Sequence, residues 1–206
     1  IGDLLAEGNY RAALKLTKVK NTDVMPYAVQ TKGVAIGAHG IRSERDYPHR
    51  IAYVCSVQSG DHTSCASLPS DGNKGELWEI FNDSGVFCDF NTLSIPRKTK
   101  LDFYKAVTGL KLAPEDWVNT KALRILQLQR AMLLLGGPDT HWSSKDDANP
   151  PRFYEPLPSG PYKGKAANKA RIEEDKKEFY EASGWDENGI PASETLELLG
   201  LQDVDK

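Results

Sequence analysis

Cys88 lies in the run Asp83-Ser84-Gly85-Val86-Phe87-Cys88-Asp89-Phe90, a thiol following a carboxylate along one short segment. As a thiolate such a cysteine can ligate a metal ion. Buried, it is a small hydrophobe, which is the usual fate of a lone cysteine. Asp83 can accept two hydrogen bonds from a planar, guanidine-like edge, or it can simply close a helix or turn. A second candidate is His62 in Ser59-Gly60-Asp61-His62-Thr63, where an imidazole suits proton transfer or substrate orientation near neutral pH. Its bland alternative is a surface-loop histidine, and Asp61 either orients it or turns the loop. Cys55 falls on an apolar face and reads as core. Cys65 follows His62 closely, but no metal-ligand spacing links it to a histidine. His141 reads as structural, and Gly136-Gly137-Pro138 lacks the spacing of a nucleotide loop and reads as a helix stop.

The elements that must carry these residues are mostly helical. Leu4, Leu5, Ala12 and Leu16 predict an amphipathic helix over Asp3–Lys18. The segment Tyr27–Ile36 is irregular or short strand. A helix over about Pro48–Gln58, with Ile51, Val54, Cys55 and Val57 on one face, ends at Ser59-Gly60 and delivers Asp61 and His62 to a loop. A linker from Leu68 to Gly75 leads to a short helix over Glu76–Asn82 and the Cys88 loop. Lys100–Thr108 reads as a helix stopped by Gly109. Pro114-Glu115-Asp116 starts another that runs to Leu135, apolar over too wide an arc in its second half for a surface helix.

From Gly136 to Gly164 the chain is rich in proline and glycine. Trp142, Phe153, Tyr154 and Tyr162 are spaced to anchor it as an extended strap. A charged helix over about Lys165–Ser183, with the run 171–178 as a solvated face, and a short one over Ala192–Leu199 complete the order. The expected architecture is mainly α, with a helical region 1–109 carrying the Asp83–Cys88 loop and a C-terminal helical region 110–206 carrying the strap.

Composition narrows the function. With 26 basic and 29 acidic residues among 206, the net charge of −3 offers no footprint for nucleic acid or an anionic membrane. No apolar run approaches the roughly 20 residues that cross a bilayer. Three widely spaced cysteines suit a reducing compartment better than a disulfide framework, so a cytoplasmic location is expected.

Several segments together resemble the C-terminal part of the tungsten-containing aldehyde:ferredoxin oxidoreductase family. These are Gly2-Asp3-Leu4-Leu5-Ala6-Glu7-Gly8 with Arg11-Ala12-Ala13, then Lys32-Gly33, the Asp83–Cys88 run, and the tail Phe179-Tyr180-Glu181-Ala182-Ser183-Gly184-Trp185-Asp186-Glu187-Asn188-Gly189-Ile190-Pro191. The chain opens at Ile1 inside a predicted helix and lacks the family's Cys-x-x-Cys-x-x-x-Cys set, so it is expected to be part of a larger catalytic subunit. The resemblance implies a tungsten-bis-pyranopterin (tungstopterin) and a [4Fe-4S] cluster. Cys88 would be the cluster's fourth thiolate ligand. Asp83 would accept N–H groups of a pterin, the backbone at Phe87 would touch the same ring, and His62 would supply or position a proton. The family run reads Asp-x-x-Gly-Leu-Cys, whereas here the glycine comes one place early, at Gly85. His39 and His49 fall where the chain departs from the family pattern, with Ala38-His39-Gly40-Ile41-Arg42-Ser43 in place of the usual run, which leaves His39 as a pocket residue or a solvent-facing loop histidine.

The stretch between His62 and Cys88 is shorter than in aldehyde-oxidising members. With Arg42-Ser43, the segment 56–64 and Gly136-Gly137-Pro138-Asp139, the sequence is similar to the branch containing the active-site subunit of ATP-independent benzoyl-coenzyme A reductase. The expected activity is low-potential reduction of an aromatic acyl-CoA. Electrons would come from an iron-sulfur subunit or ferredoxin. The alternative at the same metal is oxidation of aldehydes to carboxylates, and a metal-free helical scaffold is the alternative of another class.

Overall fold

The computed structural model describes residues 1–37, 54–61, 74–138 and 140–205. Helix α1 (Gly2–Ala6) and helix α2 (Gly8–Lys20) replace the single helix expected there, because Gly8 takes a left-handed φ of 80° at their junction. Ala12 and Ala13 form the buried face of α2, while Leu5 is exposed. A two-stranded antiparallel hairpin follows, β1 (Gln30–Thr31) and β2 (Val34–Ala35), with Gln30 opposite Ala35. It turns on Lys32 and Gly33, both at positive φ, as a tight hairpin turn requires. Gly33 is further constrained by the Trp142 ring, 3.0 Å from where a Cβ would sit.

Helix α3 (Lys74–Ser84), the short α4 (Asp89–Thr92) and α5 (Arg97–Thr108) come next, and Gly109 ends α5 in the left-handed region as expected. Pro114 opens α6 (Pro114–Asp116), which continues through a π-type turn at Trp117–Lys121 into α7 (Ala122–Leu135). Gly136, at φ 71°, stops it. The proline-rich strap is pinned by the buried Phe153 and Asp147. Helix α8 (Lys169–Ser183) begins at Asn168, whose side chain accepts from the Arg171 N–H, and α9 (Ser193–Leu198) is followed by a short 3-10 turn at Gln202–Val204. The mainly α architecture therefore holds.

Among the described residues a large apolar core joins the 54–57 turn, α3, α5, α7, the strap and α8, and Leu196, Leu199 and Leu201 form a second, small cluster. Leu77, Phe81, Trp117, Leu126, Phe153, Phe179 and Trp185 belong to a single buried apolar cluster. Each such side chain contributes on the order of 1.5–3 kcal/mol on burial. The Trp117 indole donates to the Leu77 carbonyl at 2.8 Å, and Gln127 links α7 to α8 by donating to the Ser183 carbonyl at 2.7 Å.

Three further expectations are corrected. Residues 54–60 form successive turns rather than the end of a helix, with Ser59 at φ 66°. Val54, Cys55 and Val57 are all buried there, so apolar spacing alone did not distinguish a buried turn from a helical face. The second half of α7 is not buried all round: Leu126, Gln127 and Arg130 face the core while Leu128, Met132 and Leu135 are exposed. Within the charged run of α8, Ile172 and Asp175 are buried, and Asp175 pairs with Arg171 at 3.0 Å. His39, Arg42, His49, His62, Cys65 and most of the linker lie outside the described residues.

Candidate functional site

The loop bearing Asp83 and Cys88 is set by how α3 ends. Phe87 N–H donates to the Asn82 carbonyl at 2.8 Å and Val86 N–H to that of Asp83 at 3.2 Å, the pair of bonds that defines a Schellman cap. The left-handed position of such a cap is Val86, at φ 57°. Glycine is the usual occupant there, and a β-branched side chain is strained. The cap's hydrophobic contact is the Phe87 ring stacked on Phe81, centroids 5.5 Å apart. Gly85 is required one place earlier because a Cβ would run into that ring. The early glycine thus serves Phe87 packing, and the strain falls on Val86.

The cap reverses the chain and leaves Cys88 exposed at the residue preceding α4, free of any disulfide. Its carbonyl accepts from Asn91 and Thr92 N–H groups, which fixes the backbone while the thiol stays outside. Asp83 is also exposed, and its Oδ2 accepts from Gln58 Nε2 at 2.9 Å. Phe87 spends its N–H on Asn82, so its carbonyl is the backbone group able to face a ligand. Asp83, Phe87 and Cys88 therefore lie on one capped loop. His62 lies outside the described residues, although the turns leading toward it are described.

An accessible thiolate donor and an accessible carboxylate on a fixed backbone fit the donor set that a cluster iron and a pterin edge need. Among the described residues no group of three or more His, Cys, Asp or Glu side chains could hold a metal ion alone. This loop can contribute one ligand to a metal centre, and further ligands would have to come from elsewhere.

A buried ionic cluster around Asp147 went unread in the sequence. Asp147, on the strap, accepts from Lys32 at 2.9 Å, from Arg130 at 2.6 and 3.1 Å, and from the Tyr180 hydroxyl. Lys32 also donates to the Val54 carbonyl at 2.7 Å, and Arg130 to that of Gly189 at 2.7 Å while lying 4.6 Å from the Trp185 ring centre. Burial alone would raise the Asp147 pKa. The Lys32 charge and the Arg130 guanidinium, with the Tyr180 hydroxyl, outweigh burial and hold it below the usual carboxylate range. Burial, then the Asp147 charge, pushes both Tyr180 and Cys55 well above their ordinary values, so Cys55 is an inert buried thiol. The available sequence signal was Arg130, a guanidinium in the largely apolar second half of α7.

A cavity of about 410 Å³ lies next to the turn, lined by Gln58, Gln129, Met132, Leu133, Thr140 and Trp142 among others. It is an open groove of mixed polarity, with two amides and a hydroxyl at its wall. His141 is held at the end of α7, its Nδ1 3.0 Å from the Leu135 carbonyl.

Residues 1–201 match the family model described as aldehyde ferredoxin oxidoreductase, domains 2 and 3. The chain is similar to the aliphatic sulfonate oxidoreductase, WOR-like subunit, of Pyrococcus furiosus, with 56% identity over 202 residues, 98% of this chain and 32% of the relative. It is also similar to the tungsten-containing aldehyde ferredoxin oxidoreductases of Pyrococcus furiosus and Pyrococcus horikoshii. Identities are 28% and 27%, over 97% and 98% of this chain and 34% of each relative. The chain spans about a third of the length of the curated relatives it matches.

Proposed function

The chain belongs to the aldehyde ferredoxin oxidoreductase family, and on that premise we propose that it is the cofactor-facing C-terminal part of a tungstopterin and [4Fe-4S] oxidoreductase acting on an aliphatic sulfonate. The observation that carries this reading is the capped loop, which presents Cys88 and Asp83 to solvent together, in a chain 56% identical to a subunit named for aliphatic sulfonates. Bound tungstopterin and cluster would supply metal-centred redox chemistry and single-electron relay. Cys88 would hold one cluster iron as a thiolate. Asp83 would accept pterin N–H groups, and the backbone at Phe87 would contact the same ring. His62 holds or donates a proton at the substrate.

The cavity beside Gln58 suits a small aliphatic chain with a polar head: Met132, Leu133 and Trp142 supply apolar wall, and Gln58, Gln129 and Thr140 supply hydrogen-bonding groups. An aromatic acyl-CoA, expected from the short stretch before Cys88, has less support, because the 56% identical relative is named for a different substrate class. Aldehyde oxidation is the second reading, favoured by the two aldehyde ferredoxin oxidoreductases at 28% and 27% identity. We further propose that the remainder of the same subunit supplies the other cluster ligands, that an iron-sulfur subunit or ferredoxin exchanges the electrons, and that the enzyme acts in the cytoplasm. Among the described residues no helix is long and apolar enough to cross a membrane.

The test is elemental analysis of the anaerobically purified full-length protein, followed by turnover with an aliphatic sulfonate, an aldehyde and benzoyl-CoA. Tungsten with about four irons per subunit and preferential turnover of the sulfonate is expected. Absence of tungsten, molybdenum and iron would contradict the reading and leave a helical scaffold. Preference for the aldehyde or the thioester would keep the enzyme class and replace the substrate.

A further inference from the structure

Among the described residues Gln58 is the side-chain donor that reaches Asp83, with Nε2 2.9 Å from Oδ2. Its place is fixed by a buried turn. Val54, Cys55 and Ser56 are wholly inaccessible, Val57 N–H donates to Glu76 on α3 at 3.3 Å, and Gln58 N–H donates to Ser56 Oγ at 3.1 Å. Gly60 presses against the Val34 carbonyl so closely that a Cβ would collide with it. At the turn's start Lys32 bonds the Val54 carbonyl, and Lys32 is itself held by Asp147. The turn is thus clamped by the hairpin, by α3 and by the buried ionic cluster, and Gln58 projects from it to the Asp83 carboxylate.

We propose that Gln58 is a positioning residue that fixes the Asp83 carboxylate for its pterin ligand by donating to Oδ2 and leaving Oδ1 for the ligand. A carboxylate on an exposed helix end samples several rotamers, and ordering it costs entropy on ligand binding. An amide anchored to a buried turn meets that cost before the ligand arrives, as outer-shell donors do for groups that hold a cofactor. The inference rests on the reading that Asp83 binds a pterin.

The experiment compares Gln58→Leu and Gln58→Glu with wild type in the full-length protein, purified anaerobically. It reads the rate of tungsten loss to a chelator, iron per subunit and the unfolding midpoint. Gln58→Leu should lose tungsten roughly 10- to 100-fold faster, the usual effect of removing an outer-shell partner. Gln58→Glu, which sets a like charge against Asp83, should lose it faster still. Iron and the midpoint should stay at wild-type values, since Cys88 and the core do not depend on Gln58. Tungsten retention within twofold of wild type in both variants would overturn the proposal. So would a parallel fall in tungsten, iron and midpoint, which would make Gln58 merely structural. A wild-type protein without tungsten would sink the pterin reading itself, and a tungsten-replete wild type with indifferent variants would sink only the role of Gln58.

Discussion

Asp147 and Asp83 are both carboxylates that receive amide, ammonium or guanidinium donors, but their surroundings differ. Asp147 is fully buried and takes donors from three side chains, Lys32, Arg130 and Tyr180, which join the hairpin, α7 and α8 to the strap. Asp83 stands exposed at the end of α3 with one side-chain donor among the described residues, and three residues beyond it a valine occupies a glycine's conformation. The first site has its hydrogen-bonding capacity filled by the protein. The second keeps capacity open on a backbone that is fixed and strained. Groups meant for stability are saturated, and groups meant for a ligand are held but left unsaturated.

Breaking the buried site should have the largest consequence for the fold. Asp147→Asn leaves Lys32 and Arg130 buried without their countercharge and should cost about 3 to 5 kcal/mol of stability, measured by denaturant unfolding. A loss below about 1 kcal/mol would show that the cluster is not the clamp described. The converse is Asp83→Ala, which should weaken tungsten retention by about 100-fold yet change stability by no more than about 0.5 kcal/mol. Loss of stability with cofactor retained would reverse the roles assigned to the two carboxylates.

Tyr180→Phe sharpens the contrast through pH. It should cost about 1.5 to 3 kcal/mol, as expected for a hydrogen bond to a charged group. The folded pKa of Asp147 lies below the unfolded value of about 3.9, so its contribution is complete above that pH and is lost as pH falls through the folded pKa. Tyr180 and Cys55 have raised folded pKa values. Their contributions are complete below the unfolded values of about 10 and 8.5 and are lost as pH rises past them. Unfolding titrations of wild type should therefore show a plateau between these limits. In Tyr180→Phe the loss above about pH 10 should shrink; an unchanged alkaline limb would assign it to other groups. The smallest effect belongs to the loop. Val86→Gly relieves a left-handed φ on a side chain that is 90% exposed and should gain about 1 kcal/mol without altering iron or tungsten content. Destabilisation instead would mean that the valine side chain packs against something.

The helices were legible where a local stop or start is written in the chain: Gly109 after α5, Pro114 before α6 and Gly136 after α7. The start of α8 was not: the helix was expected from about Lys165, but it begins after the Asn168 cap. The strap was legible from its spaced aromatics, although only Phe153 among them is fully buried. The turn at 54–60 was not, since a fully buried turn shows the same apolar residues as a helical face. Nor was the Asp147 cluster, whose partners are 17 to 115 residues apart in sequence. In the loop, the sequence displayed the early Gly85, but only the backbone shows that the displaced glycine answers to Phe87 and that Val86 carries the strain. The Gln58–Asp83 bond left no mark in the sequence.

The central claim is that the capped loop of α3 delivers one cluster ligand, and iron analysis of wild type beside Cys88→Ala tests it most directly. In the anaerobically purified full-length protein, wild type should carry about four irons per subunit. Cys88→Ala should lose most of that iron while keeping its unfolding midpoint, because the thiol is exposed and makes no core contact. Equal iron in the two proteins would contradict the account, and Cys88 would then be a surface cysteine on a loop with another purpose.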